Sequence, residues 1–228
     1  MQANTLAIML RKPYSLHMIH TAAVLTGDLI ASTQAGQGAV DGAMEVLEGI
    51  ALHEAQISGL DIRFARFRGD GWQMYCPEAA RVFRLTVLVL ANLHSRPKLA
   101  QTRLAVATGE VTVLPATGLA SASGEVFSKS GHALDSIRNQ RLVYASLASD
   151  SHWHGALFSY LEWQSSRWSP EQAEAIAMVF HSDPPQFSTL AGELDISRQA
   201  AQSRLRGAGF SPLFDSYLAF KNIHWSTP

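Results

Sequence analysis

The spacing of apolar positions changes several times along the chain, and each change marks an element. Residues 19–25 form a nearly continuous apolar run ending at Gly27-Asp28, the pattern of a buried strand. STQAGQG then reads as a loop. From Val40, the positions Ala43, Met44, Leu47, Ile50, Ala51 and Ile57 recur at helical spacing and predict a helix to about Ser58. Residues 61–67 alternate, Gly69-Asp70-Gly71 punctuates, and 72–76 return, which predicts a hairpin with Asp70 at its tip. Pro77-Glu78 opens a second helix, apolar on nearly every side from Val82 to Leu93 and therefore expected deep in the core. Residues 103–107 and 110–114 read as a strand or strand pair around Thr108-Gly109. A loop of small residues leads to a helix from about Val126 to Arg138, and 141–146 reads as a short strand. The order β-α-β-β-α-β-α-β predicts an α+β, ferredoxin-like sandwich: a mostly antiparallel sheet with helices on one face, ending near Asp150.

Beyond residue 150 the pattern becomes wholly helical. Trp153, Ala156, Leu157, Tyr160, Leu161 and Gln164 stripe one helix, which is placed either to join two domains or to zip two protomers. Ser169-Pro170 supplies an N-cap followed by proline at the first helical position. After SDPPQF come short helices over 189–194 and 198–206, split by Asp195-Ile196-Ser197, and a last helix over 213–223. Met18 stands just before the first strand, so residues 1–17 read as an extension. The expected division is then 18–150 for the sheet domain, 151–168 for a connecting helix and 169–228 for an all-α domain.

Residues 188–210 have the arithmetic of a helix-turn-helix. Leu190, Leu194, Ile196, Ala201 and Leu205 supply a packed face, and Ser197 caps the second helix. Outward on that helix stand Arg198, Gln199, Gln202, Ser203 and Arg206, with Arg204 nearby. Arginine reads guanine and glutamine reads adenine in the major groove, and arginine and serine also hold phosphates. The opposing reading is a solvated helical hairpin or protein-interaction module. Residues 167–228 carry five Lys/Arg against six Asp/Glu, so only the second helix, with three arginines and no acid, favours double-stranded DNA.

Composition narrows the class. The 47% apolar and 16% charged content fits a well-cored globular chain, and a net charge of −1 gives no global attraction to nucleic acid. One cysteine, Cys76, in an apolar strand pattern, reads as a core thiol in a reducing compartment. The longest apolar run, 85–93, is far short of the ~20 residues of a bilayer span, so the expected location is the cytoplasm.

Asp28 and Asp70 are the candidate hard-cation pair, since the strand, helix and hairpin can bring both carboxylates to one sheet edge. The opposing reading is that each makes a turn, a job aspartate favours. The strings GDLIAST, RGDGWQ and SGEVFSKSGHALD resemble the cyclase-homology fold of class III nucleotidyl cyclases. With WSPEQAEAI and LDISRQAAQSRL they resemble more closely the SatD-like bacterial proteins, which pair that domain with a helix-turn-helix. The resemblance spans roughly residues 18–210. It implies that Asp28 and Asp70 match the metal-binding aspartates, holding Mg²⁺ with a nucleotide, and that Arg68, Lys129 and His132 offer phosphate contacts. It also implies a departure. In the string Gly-x-x-Val-Asn-x-Ala-Ala-Arg, Ser128 stands in place of the transition-state asparagine and His132 in place of the arginine, and the base-selecting position falls near the uncharged Ser121. Serine is too short for the asparagine's role, and a histidine near its ordinary pKa of ~6.5 is a poor fixed counter-charge at neutral pH.

Two functions follow as expectations. One is a DNA-binding transcriptional regulator, not an enzyme, dimeric, whose degenerate cyclase-like domain senses a nucleotide or protein and pairs two protomers. The other is a metal-dependent cyclase-like enzyme acting on a nucleoside triphosphate through Asp28 and Asp70.

Overall fold

The computed structural model describes residues 21–67, 69–146, 152–223 and 225. The expected extension over 1–17, Arg68 and the boundary near residue 150 lie outside them. Strand β1 (Ala22–Leu29) is central in a five-stranded sheet of order β2-β3-β1-β4-β5, with β2 Arg63–Phe67, β3 Gly71–Cys76, β4 Thr102–Gly109 and β5 Leu142–Ser146. Three pairings are antiparallel and β5 lies parallel to β4, so the sheet is the mostly antiparallel one of an α+β fold. A short helix α1 (Ser32–Ala35) occupies the expected loop, and α2 (Gln37–Ser58) and α3 (Val82–His94) follow β1 and β3. Residues 110–114 do not extend the sheet; they contribute one isolated bridge, Val113 to Ser123.

The expectation of helices on one face is corrected. Ala23, Leu25, Trp72, Met74, Cys76, Leu104 and Val106 belong to a core shared with α2 and α3. Their neighbours Ala22, Val24, Tyr75 and Ala107 pack against Val126 and Phe127 of α4 (Glu125–Ser136), on the opposite face. The reason is in β1 itself. Ala22, Ala23, Val24 and Leu25 are all buried, and a strand apolar on successive positions needs cover on both sides.

The first core continues into the C-terminal helices α5 (His152–Ser165), α6 (Pro170–Val179), α7 (Leu190–Glu193), α8 (Arg198–Gly207) and α9 (Phe210–Lys221). Phe83 of α3 meets Phe158 of α5 edge-on at 5.6 Å and Phe220 of α9 at 5.8 Å, while Tyr144 of β5 stacks on Phe158 at 4.6 Å. These four rings tie the sheet to the helices after residue 150. Ser169 caps α6 in a full capping box with Gln172. Among the described residues, no helix is long and apolar enough to cross a membrane. Cys76 is fully buried, and that burial pushes its thiol up to about 12.

One expected core position is exchanged for another. Ile57 is 41% exposed, whereas Glu54, on the same stripe of α2, is fully buried. Its carboxylate accepts from Arg84 Nε at 2.9 Å and Nη2 at 2.7 Å, and Arg84 Nη1 donates to the Ser182 carbonyl at 2.8 Å. Arg81 extends the cluster to Asp183 at 3.0 Å, and Asp183 accepts from Tyr217 Oη and Lys221 Nζ of α9. Burial alone raises the Asp183 carboxyl, yet these donors and nearby Arg84 hold it at about 2. The cluster joins α2, α3, the segment after α6 and α9 through charge.

Gly27 sits where a Cβ would lie 2.5 Å from the Trp72 indole, whose Nε1 donates to Thr102 Oγ1 at 3.0 Å. Gly27→Ala is therefore expected to destabilise by about 1–3 kcal/mol, as overpacking does. A lowered urea midpoint with unchanged slope would register it; an unchanged midpoint would show that the indole moves freely.

Candidate functional site

The sheet end at the close of β1 holds the first cluster. Asp28 is not in a loop after the strand but inside the ladder, with Gly71 as its partner on β3 and Arg103 on β4. Leu29 donates its backbone N–H to the Asp70 carbonyl at 3.1 Å, which fastens the hairpin tip beside β1. The hairpin tip carrying Asp70 therefore lies beside the end of β1 that carries Asp28. Each aspartate is already engaged. Arg103 Nε and Nη2 donate to the two oxygens of Asp28 at 2.7 and 2.6 Å, a bidentate fork. Ser32 Oγ donates to Asp70 Oδ2 at 2.6 Å. The hydrogen bonds and charge of Asp28, with Asp70 and Asp135 adding to the field, raise the Arg103 pKa above its ordinary value. Ser32, Thr33, Gln37, Arg66, Gly69 and Asp70 line a shallow hollow of about 250 Å³ at this edge, and Arg66 there pairs with Asp41 at 2.7 Å. The sequence alone does not single out Arg103, because only the strand register shows that it faces Asp28.

On the same sheet face lies α4. Its buried Ser130 shares a 2.7 Å hydrogen bond with Thr26, and Gln73 Nε2 donates to Thr26 at 3.0 Å. Gly124 starts α4 at a φ of 146°, where a Cβ would meet the Thr112 amide at 2.7 Å, so the glycine of the string is sterically required. Ser128 and His132 are exposed on the outer side of the helix, and Lys129 pairs with Glu125 one turn earlier at 3.0 Å. Ser128 and His132 are thus displayed outward, while Lys129 is half-buried in its pair with Glu125. Arg68 lies outside the described residues.

The second cluster is on α8. Ser197 caps the helix by accepting from the Ala200 amide at 3.1 Å. Asp195, in the turn, has a φ of 52°, the left-handed conformation that aspartate tolerates better than most residues. Ala201 and Leu205 are buried, Leu190 of α7 is buried, and Leu194 and Ile196 are half-buried. Arg198, Gln199, Gln202, Ser203 and Arg206 are exposed together on the outer side. Arg204 differs: it is half-buried and pairs with Glu174 of α6 at 2.9 Å. The far end of α8 is held from below, since Gln164 Nε2 donates to the Ala208 and Gly209 carbonyls and Trp168 Nε1 to that of Ala208. Trp168 is buried in the core, whereas Trp163 is 53% exposed with Arg167 over its ring.

A hard divalent cation such as Mg²⁺ is held by one or two carboxylates, with waters and phosphates completing its oxygen shell. Both oxygens of Asp28 and one of Asp70 are already bound, and the partner of Asp28 is itself a cation. A metal that took both oxygens of Asp28 would therefore have to displace the Arg103 guanidinium. Among the described residues, no group of three or more His, Cys, Asp or Glu is placed to hold one.

No family model and no curated protein matches the chain. Among solved structures it is similar to the guanylyl cyclase Cya2, with 17% identity and a TM-score of 0.40 over 55% of this chain and 75% of that one. It is also similar to a bacterial light-regulated adenylyl cyclase, with 13% identity and a TM-score of 0.39 over 55% of this chain and 43% of that one. The adenylyl cyclase CyaB from P. aeruginosa gives 12% identity and a TM-score of 0.38 over 55% and 76%.

Proposed function

We propose that the chain is a DNA-binding transcriptional regulator acting as a homodimer, with α7 and α8 as the helix-turn-helix and the sheet domain as a sensing and pairing module. One observation carries the reading: every polar residue of α8 except Arg204 is exposed, and that face bears two arginines, two glutamines and a serine with no acid. Arg198 and Arg206, near the two ends of a ten-residue helix, would grip phosphates or guanine edges, and Gln199 and Gln202 would read adenine. The apolar underside and the carbonyl anchors from Gln164 and Trp168 fix how α8 is presented. The sheet domain would bias the spacing of two such helices, and a nucleotide meeting Lys129 and His132 would act by favouring one arrangement of the dimer.

The direct test is selection of genomic fragments by the purified protein. The expected result is recovery of fragments sharing a short, two-fold symmetric sequence. Recovery that merely follows fragment abundance would overturn the proposal. The outward placement of Ser128 and His132 goes with an expected absence of pyrophosphate release from ATP or GTP in Mg²⁺ or Mn²⁺.

A further inference from the structure

The geometry at the sheet end points to Arg103 as a built-in cation: we propose that its guanidinium has taken the place a divalent ion would hold between Asp28 and Asp70, so that this site works without metal. Three observations meet here. First, Arg103 is the cross-strand partner of Asp28, so backbone pairing itself delivers the guanidinium to that carboxylate. Second, the contact is a two-bond fork at 2.7 and 2.6 Å that engages both carboxylate oxygens. Third, the same guanidinium lies in the field of Asp70 and Asp135, so it offsets part of the negative charge at this sheet end.

Arginine suits this position because it stays ionised at any physiological pH and its fork matches a carboxylate in a way a lysine does not. The charge is also permanent, since it depends on no ion concentration. An incoming dication would meet a fixed positive charge at salt-bridge distance from its first ligand and would have to displace it. The Ser32 hydroxyl on Asp70 lowers what remains to offer, leaving Oδ1 as that carboxylate's other oxygen. The inference does not depend on DNA binding, and the two fail separately: the first is read by metal titration, the second by DNA retention.

The test titrates Mn²⁺ into the full chain and follows the free-ion electron paramagnetic resonance signal, with a thermal melt of each variant as a check on folding. The wild type is expected to show no saturable binding up to about 1 mM, the weak end of protein cation sites. Arg103→Met, which keeps the length and removes the charge, is expected to gain at least a tenfold tighter site. Adding Asp28→Asn to it should remove that gain. Arg103→Lys should remain refractory, because a charge persists. Saturable Mn²⁺ binding by the wild type that is lost in Asp28→Asn would overturn the proposal. So would an Arg103→Met protein that melts normally yet gains no site, or an Arg103→Lys protein that gains one as Arg103→Met does.

Discussion

Glu54→Ala is expected to destabilise the fold by about 3–5 kcal/mol, because it strands the Arg84 guanidinium in the core without its counter-charge. Glu54 is fully buried and Arg84 is 1% exposed, so water cannot take over either role. The loss should exceed that of a large apolar truncation nearby relative to the area removed, since the penalty is desolvated charge rather than missing contact. Chemical denaturation of the full chain measures it. The companion double variant Glu54→Leu plus Arg84→Met should recover much of the loss, as apolar pairs often replace buried ion pairs at little cost. Recovery will be incomplete because the Ser182 carbonyl loses its donor. A loss under about 1 kcal/mol for Glu54→Ala would mean the pair behaves like a solvated one.

That pair also shows where sequence reading stopped. Glu54 falls on the α2 stripe with Leu47, Ile50 and Ala51, and Arg84 falls inside a helix apolar on nearly every side. Periodicity passes over a lone acid on an apolar stripe and counts Ile57 instead, although two opposite charges each set among apolar residues signal that they meet. By contrast, the hairpin, α2, α3, α6 and the α7–α8 break were legible, because turn residues, caps and helical spacing act within a few residues. The second face of the sheet was half-legible: the unbroken run at Ala22–Leu25 already demanded two covered sides. The Asp28–Arg103 fork was not legible. Register across strands separated by some seventy residues is set by tertiary packing, and a shift of one residue would put Arg103 on the other face.

Arg198→Ala combined with Arg206→Ala is expected to abolish retention of the DNA fragments that the wild type selects. Both side chains are exposed, so their removal should leave the melting temperature nearly unchanged and the effect should read as lost contact rather than lost fold. If both arginines grip phosphates, each removal takes about 0.9 from the slope of log affinity against log salt. If either reads guanine, its removal instead relaxes preference at one base position and leaves that part of the slope intact. Arg204→Ala separates surface from framework. Its guanidinium is committed to Glu174, so it should weaken the seat of α8 on α6 and change DNA retention only through stability. Undiminished retention by the double variant would take the recognition role away from α8. A larger loss for Arg204→Ala at an unchanged melting temperature would move it from the exposed arginines to the paired one. The three arginines of one short helix therefore carry different predictions, and the difference comes from which of them the fold has already spent on a neighbour.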